Sequence, residues 1–371
     1  MENTTADNTA NSSITDVAAL ANVSTATVSR VLTGRRTKDD DIARRVRKAA
    51  NQLNYSVNYA ASALRSDVTN TLGIVMPDPL TPLSSHLLSR FEAAANDAGK
   101  QLLVALGADE STQRSRIDTL VSRKADGIVA LPCTGADLSP TLEDYVRSVP
   151  IVQVSGHCSS FHVNWVGIDE TASMQMAMDH LADYNSTAIA FLSAAVDSSA
   201  AAELFITFQS SANLLNLLTE PEWTTFGDCS AKRGYDDTMR LFTSRGTHPN
   251  GLICATDAIA LGALMALHTL GIGVPDDVLV IGSGDSPESA ISSPTLTSTR
   301  APVELIVSET MRLLGNEHGS QHWLPAHIAF PPRLVQREST TATRIGSSDM
   351  AAPGTPTESR PREPRTPRAQ R

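Results

Sequence analysis

The sequence predicts an α/β protein with a small helical head in front of a body of two parallel-sheet subdomains. Three observations lead there. From Leu72 to Gln336, continuous apolar runs alternate with longer amphipathic stretches, the pattern of parallel strands covered by helices on both faces. Ten such runs exceed one ordinary sheet, so two subdomains are expected. Residues 13–65 instead follow a helical period. The length of 371 residues agrees, because it suggests two or three domains. With 41% hydrophobic but only 4% aromatic residues, the core has to be built mainly from Ala, Val, Leu and Ile.

Residues 1–12 are polar and lack the basic start and apolar stretch of a signal peptide, so a disordered leader is expected. Ser13 with Asp16 three residues on forms a capping-box pattern, opening a helix with Val17, Ala18 and Leu20 on its apolar face. Asn22 falls where the chain has to turn, and Asn tolerates a left-handed backbone. Ser24 then caps a second helix, 25–32, with Val28, Val31 and Leu32 inward and Thr25, Ala26, Ser29 and Arg30 outward. A third helix near 40–53 buries Ile42, Val46, Ala49, Ala50 and Leu53 and turns Arg44, Arg45, Arg47 and Lys48 to the other face. This is the anatomy of a helix-turn-helix. Small and hydroxyl side chains at Thr25, Ala26 and Thr27 allow close approach to base edges, and Arg30 can pair with guanine or a phosphate. A plain three-helix bundle with a solvated basic face fits the same pattern.

The body strands are expected at 72–77, 101–106, 127–132, 151–155, 165–168, 188–193, 223–228, 251–256, 279–284 and 296–300. Helix-period stretches lie between them, among others at 86–98, 110–123, 170–183, 257–270 and 302–314. From Thr340 to Arg371 the chain is rich in Pro, Thr, Ser and Arg and has almost nothing apolar to bury, so a disordered tail is expected. It has no leucine heptads that would suggest a helical bundle.

Taken alone, the net charge of -10 argues against a nucleic-acid partner, but it is an average. Residues 1–65 carry +3, residues 66–337 carry -15 and residues 338–371 carry +2, so a basic head sits on an acidic body. The four cysteines form no CxxC pair and no apolar run approaches a membrane span, so reduced thiols and a cytoplasmic, membrane-free protein are expected. His157, Cys158 and His162 lie close in sequence, but a metal site there would need a further ligand. His318, His322 and His327 read as surface loop residues. No nucleophile elbow, P-loop or GxGxxG motif occurs, so no catalytic residue, metal site or cofactor is expected, and the chain reads as no enzyme.

The run DVAALANVSTATVSRVL (16–32), Asn54-Tyr55 and NYAASALR (58–65) resembles the head and hinge of the lactose-repressor/galactose-repressor (LacI) family of bacterial transcription regulators. The likeness continues through TNTLGIVMP (69–77), KADGIVA (124–130), VGID (166–169), ATDAIALG (255–262), VPDDVLVIG (274–282), PTLTSTR (294–300) and PPRLVQRES (331–339). It covers nearly all of the chain outside the leader and tail. The resemblance implies a helix-turn-helix domain at 13–57, a hinge helix at 58–66 and a periplasmic-binding-protein-like effector and dimerisation domain at 70–337. The crossovers between its two subdomains would lie near 169, 298 and 328. It further implies a homodimer, formed along the body with helix 86–98 as a candidate surface, on a near-palindromic double-stranded operator. Thr25, Ala26 and Arg30 would read bases, with Ser29 on the same face, while Ser24 and Thr27 would sit near phosphates. In the hinge, Asn58 and Ala61 would approach the minor groove and Leu64 would wedge into a central base step and bend the duplex.

The resemblance also implies a small-molecule effector between the subdomains, most often a sugar or purine, but the sequence departs from the family there. Leu83 and Ser84 replace aromatics in the loop after the first strand, and Ala202 replaces an expected Arg. Cys229 stands at an aromatic position, Thr256 replaces an Asn, and Gly284 takes the place of a ligand-binding Asp. Asp257 is retained, either to hold a ligand hydroxyl or, the favoured reading, to cap the following helix. The effector is therefore left unidentified: a ligand smaller or less polar than a usual sugar, or a cleft that responds weakly or to something else. The resulting expectation is a repressor, with carbohydrate genes the family's most frequent targets. The competing reading is a solute-binding or enzymatic protein with a helical leader that does not bind DNA.

Overall fold

The computed structural model describes residues 12–32, 36, 38–55, 68–195, 199–315 and 324–341. The expectations for the leader up to 11, the hinge with Asn58, Ala61 and Leu64, His318, His322 and the tail from 342 lie outside these residues.

The head contains α1 (Ile14–Ala21), α2 (Thr25–Leu32) and α3 (Asp41–Gln52). Ser13 and Asp16 form the reciprocal capping box at the start of α1, and Asn22 ends it in the left-handed region at φ 52°. Val17, Ala18, Ala21, Val28, Val31, Ala43, Val46, Ala49 and Ala50 make the small core. Leu20, expected inside, is 52% exposed, because the stripe that starts at Val17 continues four residues on, at Ala21. Ala43 is likewise buried where Ile42 was expected, and Ile42 is half-buried.

The body forms two compact units, with the chain passing between them at Ser173/Met174, Arg300/Ala301 and Arg333/Leu334 and in a short stretch, Val196–Leu204. In the first unit, β1 (Thr71–Pro77), β2 (Gln101–Gly107), β3 (Gly127–Ala130), β4 (Ile151–Val154), β5 (Asn164–Ile168) and β11 (His327–Phe330) form a parallel sheet in the order β11-β5-β4-β3-β1-β2. Helices α4 (Pro82–Asp97), α5 (Glu110–Ser122), α6 (Ser139–Glu143) and α11 (Val303–Gly315) belong to it. Alternate residues of β1 feed two cores. Ile74 and Met76 pack with Leu87 and Phe91 of α4 and Ile306 of α11. Val75 packs with Ile117 and Leu120 of α5.

The second unit repeats the plan. Strands β6 (Ile189–Ala194), β7 (Thr224–Gly227), β8 (Gly251–Cys254), β9 (Leu279–Ser283), β10 (Thr297–Arg300) and β12 (Arg333–Val335) run in the order β12-β10-β9-β8-β6-β7. Around them are α7 (Glu170–Asp183), α8 (Ser199–Leu214), α9 (Ala231–Thr243) and α10 (Asp257–Leu270). Helices α9 and α10 meet almost backbone to backbone at two glycines. A Cβ on Gly234 would stand 2.1 Å from the Ile259 carbonyl oxygen, and one on Gly262 would stand 1.9 Å from that of Ala231.

In both sheets the winding reverses between the first and third strands, β1/β3 and β6/β8. Such a switch point opens a crevice at the carboxyl ends of the strands, where ligands of open α/β sheets bind. The structure adds two strands to the ten expected. HIAF and RLV are edge strands with half-exposed side chains, so neither shows a continuous apolar run. His327 accordingly opens a strand instead of lying in a loop, and its ring stacks on Phe161 at 5.7 Å. Helix α4 begins at Pro82, earlier than expected, because Thr81 caps it.

Candidate DNA-binding and effector sites

In the head, the left-handed Asn22 lets α2 leave α1 at an angle. The Ser24 hydroxyl accepts the Thr27 N–H at 3.2 Å and shares a further bond with the Thr27 hydroxyl at 2.9 Å, closing the first turn. Val28 and Val31 anchor the inner face in the head core. Thr25, Ala26 and Arg30 are exposed, while Thr27 and Ser29 are half-buried. The amino end of α2 is therefore presented with small side chains and one long cation on a single face.

The basic face of α3 differs from expectation. Arg47 pairs with Asp39 at 2.6 Å, and Arg36 pairs with Asp40 at 2.5 Å. Arg45 and Arg44 lie 3.7 and 4.0 Å from Asp41. Three aspartates at the start of the helix thus offset cations that the pattern alone left open. The Arg36 guanidinium and the Ala43 N–H hold the Asp40 carboxyl below its usual range.

At the switch point of the first unit lies a cavity of about 550 Å³, the size of an ordinary small-molecule site. The ends of β1 (Pro77, Asp78, Pro79), β3 (Leu131–Ala136) and β4 (Val154–His157) line it, together with Leu83, Ser84 and Leu87 of α4. Leu83 and Ser84, two of the expected effector positions, come together here. Ser84, however, is buried and serves as the reciprocal partner in the α4 capping box, accepting the Thr81 N–H at 2.7 Å and donating to the Thr81 carbonyl at 3.0 Å. Two buried glutamines brace the strand ends that line it. Gln113 donates to the Leu131 carbonyl and accepts the Cys133 N–H, both at 2.9 Å. Gln153 donates to the His157 carbonyl at 2.7 Å. Neither was expected as a site residue, although a Gln inside the apolar run IVQVS is a signal that a strand end needs a polar brace.

The second unit treats its acidic groups differently. Asp257 is only 3% exposed, and its carboxylate accepts the Ser286 N–H at 2.5 Å and the Ser298 hydroxyl at 2.6 Å. The helix cap expected of it is made instead by Thr256, which accepts the Ile259 N–H. Gly284, at φ 122°, and Gly282 leave room for this carboxylate: a Cβ on Gly282 would stand 2.3 Å from its Oδ1. The neighbouring Asp285, also 3% exposed at its side chain, is clamped between Arg300 and Arg337. Arg233 spends its guanidinium on Asp237, Thr225 and the Ser193 and Asp228 carbonyls. Ala202 lies half-buried on α8, and Cys229 is exposed before α9. The acidic groups retained near the missing effector residues thus hold the fold together.

Comparison with known proteins decides the family. Residues 13–58 match the model of bacterial regulatory proteins of the lacI family, and residues 178–340 match the periplasmic binding protein-like domain. The chain belongs to the LacI family. The family member is 29% identical to the HTH-type transcriptional regulator MalR of Streptomyces coelicolor, over 89% of this chain and 96% of that protein. It is 25% identical to the HTH-type transcriptional repressor PurR of Actinobacillus pleuropneumoniae serotype 3, over 88% and 97%. The lac repressor dimer bound to operator and the anti-inducer ONPF shares its fold, with a TM-score of 0.76 at 23% identity, covering 89% of this chain and 99% of that one. A complex of the transcriptional regulator CelR with cellobiose gives a TM-score of 0.64 at 25% identity, covering 88% and 99%. This LacI-family chain is a helix-turn-helix transcriptional regulator, and its relatives are named as regulators, not enzymes. Among the described residues no helix is long and apolar enough to cross a membrane.

Proposed function

We propose that two copies of the chain repress transcription in the cytoplasm by binding an inverted-repeat operator, under control of a small molecule held in the first-unit cavity. Each copy lays α2 in the major groove, with Thr25, Ala26 and Arg30 at base edges, Ser29 on the same face, and Ser24 and Thr27 by the phosphates. Asn58, Ala61 and Leu64 act in the adjacent minor groove, as the family resemblance implies. The observation that carries this reading is the face of α2: Thr25, Ala26 and Arg30 are exposed while Val28 and Val31 are locked in the core. A helical leader that did not bind DNA would have no use for a capped helix that exposes small residues at its amino end and a cation one turn on.

The test is selection of bound duplexes from a random pool, followed by gel shifts on the enriched sequence. An inverted repeat is expected. Arg30→Ala is expected to weaken binding by about tenfold or more, because a bidentate base contact is worth about 1–3 kcal/mol. No enriched sequence, or equal affinity of Arg30→Ala for it, would overturn the proposal.

A further inference from the structure

The longest stretch of the chain without a cation leads into the second unit. From Ser148 to Ala231 there is no Lys or Arg, while nine carboxylates occur. Within it, α8 carries one charged residue in sixteen, and its outer face is apolar. Ile206 is 62% exposed and Leu214, about two turns on, is 82% exposed. The edge strand β7 continues this face. Phe226 is exposed with its ring edge-on to Phe205 of α8 at 5.5 Å, and Leu218 is exposed ahead of the strand. Glu220 and Glu222 follow Leu218, Asp228 follows Phe226, and none of the three forms an ion pair among the described residues. The first cation beyond them, Lys232, is taken by Asp236 at 2.5 Å. An apolar face with acidic neighbours marks a docking surface. A second copy of the same face would repel it, so its occupant has to be basic and partly apolar.

The chain carries such a segment at its own end. Residues 342–371 hold six arginines, three carboxylates and no lysine, and Pro361, Pro364 and Pro367 alternate with Arg360, Arg362, Arg365 and Arg368. Proline rings and arginine side chains both pack on aromatic faces. The point of departure is fixed on the second unit. The Thr340 hydroxyl shares hydrogen bonds with His180 of α7 and Thr297 of β10, and the Thr341 hydroxyl donates to the Arg337 carbonyl. In the sheet, β10 and β7 are four strand spacings apart, about 19 Å. The eighteen residues between Thr341 and Arg360 can span up to about 60 Å. A tether of that length supplies an effective concentration of about millimolar, so contacts that are weak one by one suffice.

We propose that residues 360–371 dock on the face formed by α8 and β7 in the second unit of their own chain. The prolines cover Ile206, Leu214 and Phe226, and the arginines pair with Glu220, Glu222 and Asp228. The docked segment shields an apolar face from water and withholds its arginines from nonspecific contact with DNA.

The experiment places the photoreactive residue p-benzoylphenylalanine at position 226 of the full-length protein and maps the cross-links by mass spectrometry. Isotope-labelled and unlabelled protein are mixed, so links within a chain are told from links between chains. Cross-links from position 226 to residues 360–371 of the same chain are expected. Their yield should fall by about fivefold or more between about 50 and 500 mM salt, because the paired charges are exposed. Glu220→Gln, Glu222→Gln and Asp228→Asn combined should lower it as much at low salt, with circular dichroism checking that this variant is folded. The same probe at position 305, where Leu305 is exposed on α11 of the first unit, should capture no tail. Absence of tail cross-links at position 226, an equal yield at position 305, or a yield unchanged by both salt and the folded triple variant overturns the proposal. So do links that join labelled to unlabelled chains, which would make a second copy the occupant.

Discussion

Single polar residues in this protein are decided by what satisfies them. Asp257 and Asp285 both end up buried, one between a backbone amide and a hydroxyl, the other between two arginines. A buried carboxylate so committed is costly to strip of its partners and has little left to offer a ligand. His180 is the same case at a titratable group. It is 6% exposed, with Nε2 2.8 Å from the Thr340 hydroxyl, Nδ1 3.4 Å from the Gln336 amide and its ring 4.6 Å from that of Tyr184. Burial lowers its pKa below the ordinary 6.5, opposed only weakly by the negative charge of Asp183. Below pH 6.5 the unfolded chain therefore takes up a proton that the folded one resists. Its contribution to stability is complete above the unfolded pKa and is lost as pH falls through the lowered folded value. Urea midpoints measured from about pH 5 to 8 should rise with pH across the lower part of that range, and His180→Gln should flatten the rise. Parallel curves for the two proteins would contradict this account.

At the scale of elements, close backbone approach shapes the second unit. Helices α9 and α10 are held together through Gly234 and Gly262, each set against a carbonyl oxygen of the other helix or of its first turn. Gly262→Ala would press a methyl group onto the Ala231 carbonyl, so the helices have to separate and the apolar side chains of α10 lose contact with β8 and β9. The expected loss is about 1–3 kcal/mol in urea unfolding, the usual cost of overpacking. Gly315→Ala, with open space at its Cβ, is the control and should be neutral or slightly stabilising. The head elements rest on shorter-range chemistry. The Ser13–Asp16 box, the left-handed Asn22 and the Ser24 cap each act within about one helical turn, so the turn between α1 and α2 was readable from residue order.

For the whole molecule, charge separates the working parts. A head of +3 on a body of -15 confines the attraction for DNA to the head, and Asp39, Asp40 and Asp41, already counted in that +3, sit directly on its arginines. Affinity for the selected operator then depends on two heads binding at once and on a limited set of phosphate contacts. Operator affinity is expected to fall by about a hundredfold or more between about 50 and 200 mM salt, while unrelated duplex binds weakly throughout. A change of less than about threefold in a salt titration of gel shifts would contradict that electrostatic division.

The alternation of apolar runs and amphipathic stretches was enough to read two parallel sheets, because it records which residues are covered on both faces. Their edges escaped it: HIAF and RLV are half-exposed and carry no such mark. The family motif placed Leu83 in the loop after the first strand, and the structure puts it on the first-unit cavity. The fates of Ser84, Asp257 and Asp285 and the unpartnered buried hydroxyl of Ser155 were not legible in it. By itself the sequence determined the helix-turn-helix head, the doubly wound plan and the family, since local caps and periodic burial write those into neighbouring residues. Only the tertiary structure decided which polar groups are consumed and which remain for a ligand. Asp257 meets Ser298 across 41 positions and Asp285 meets Arg337 across 52, and no local pattern records a partner that far away.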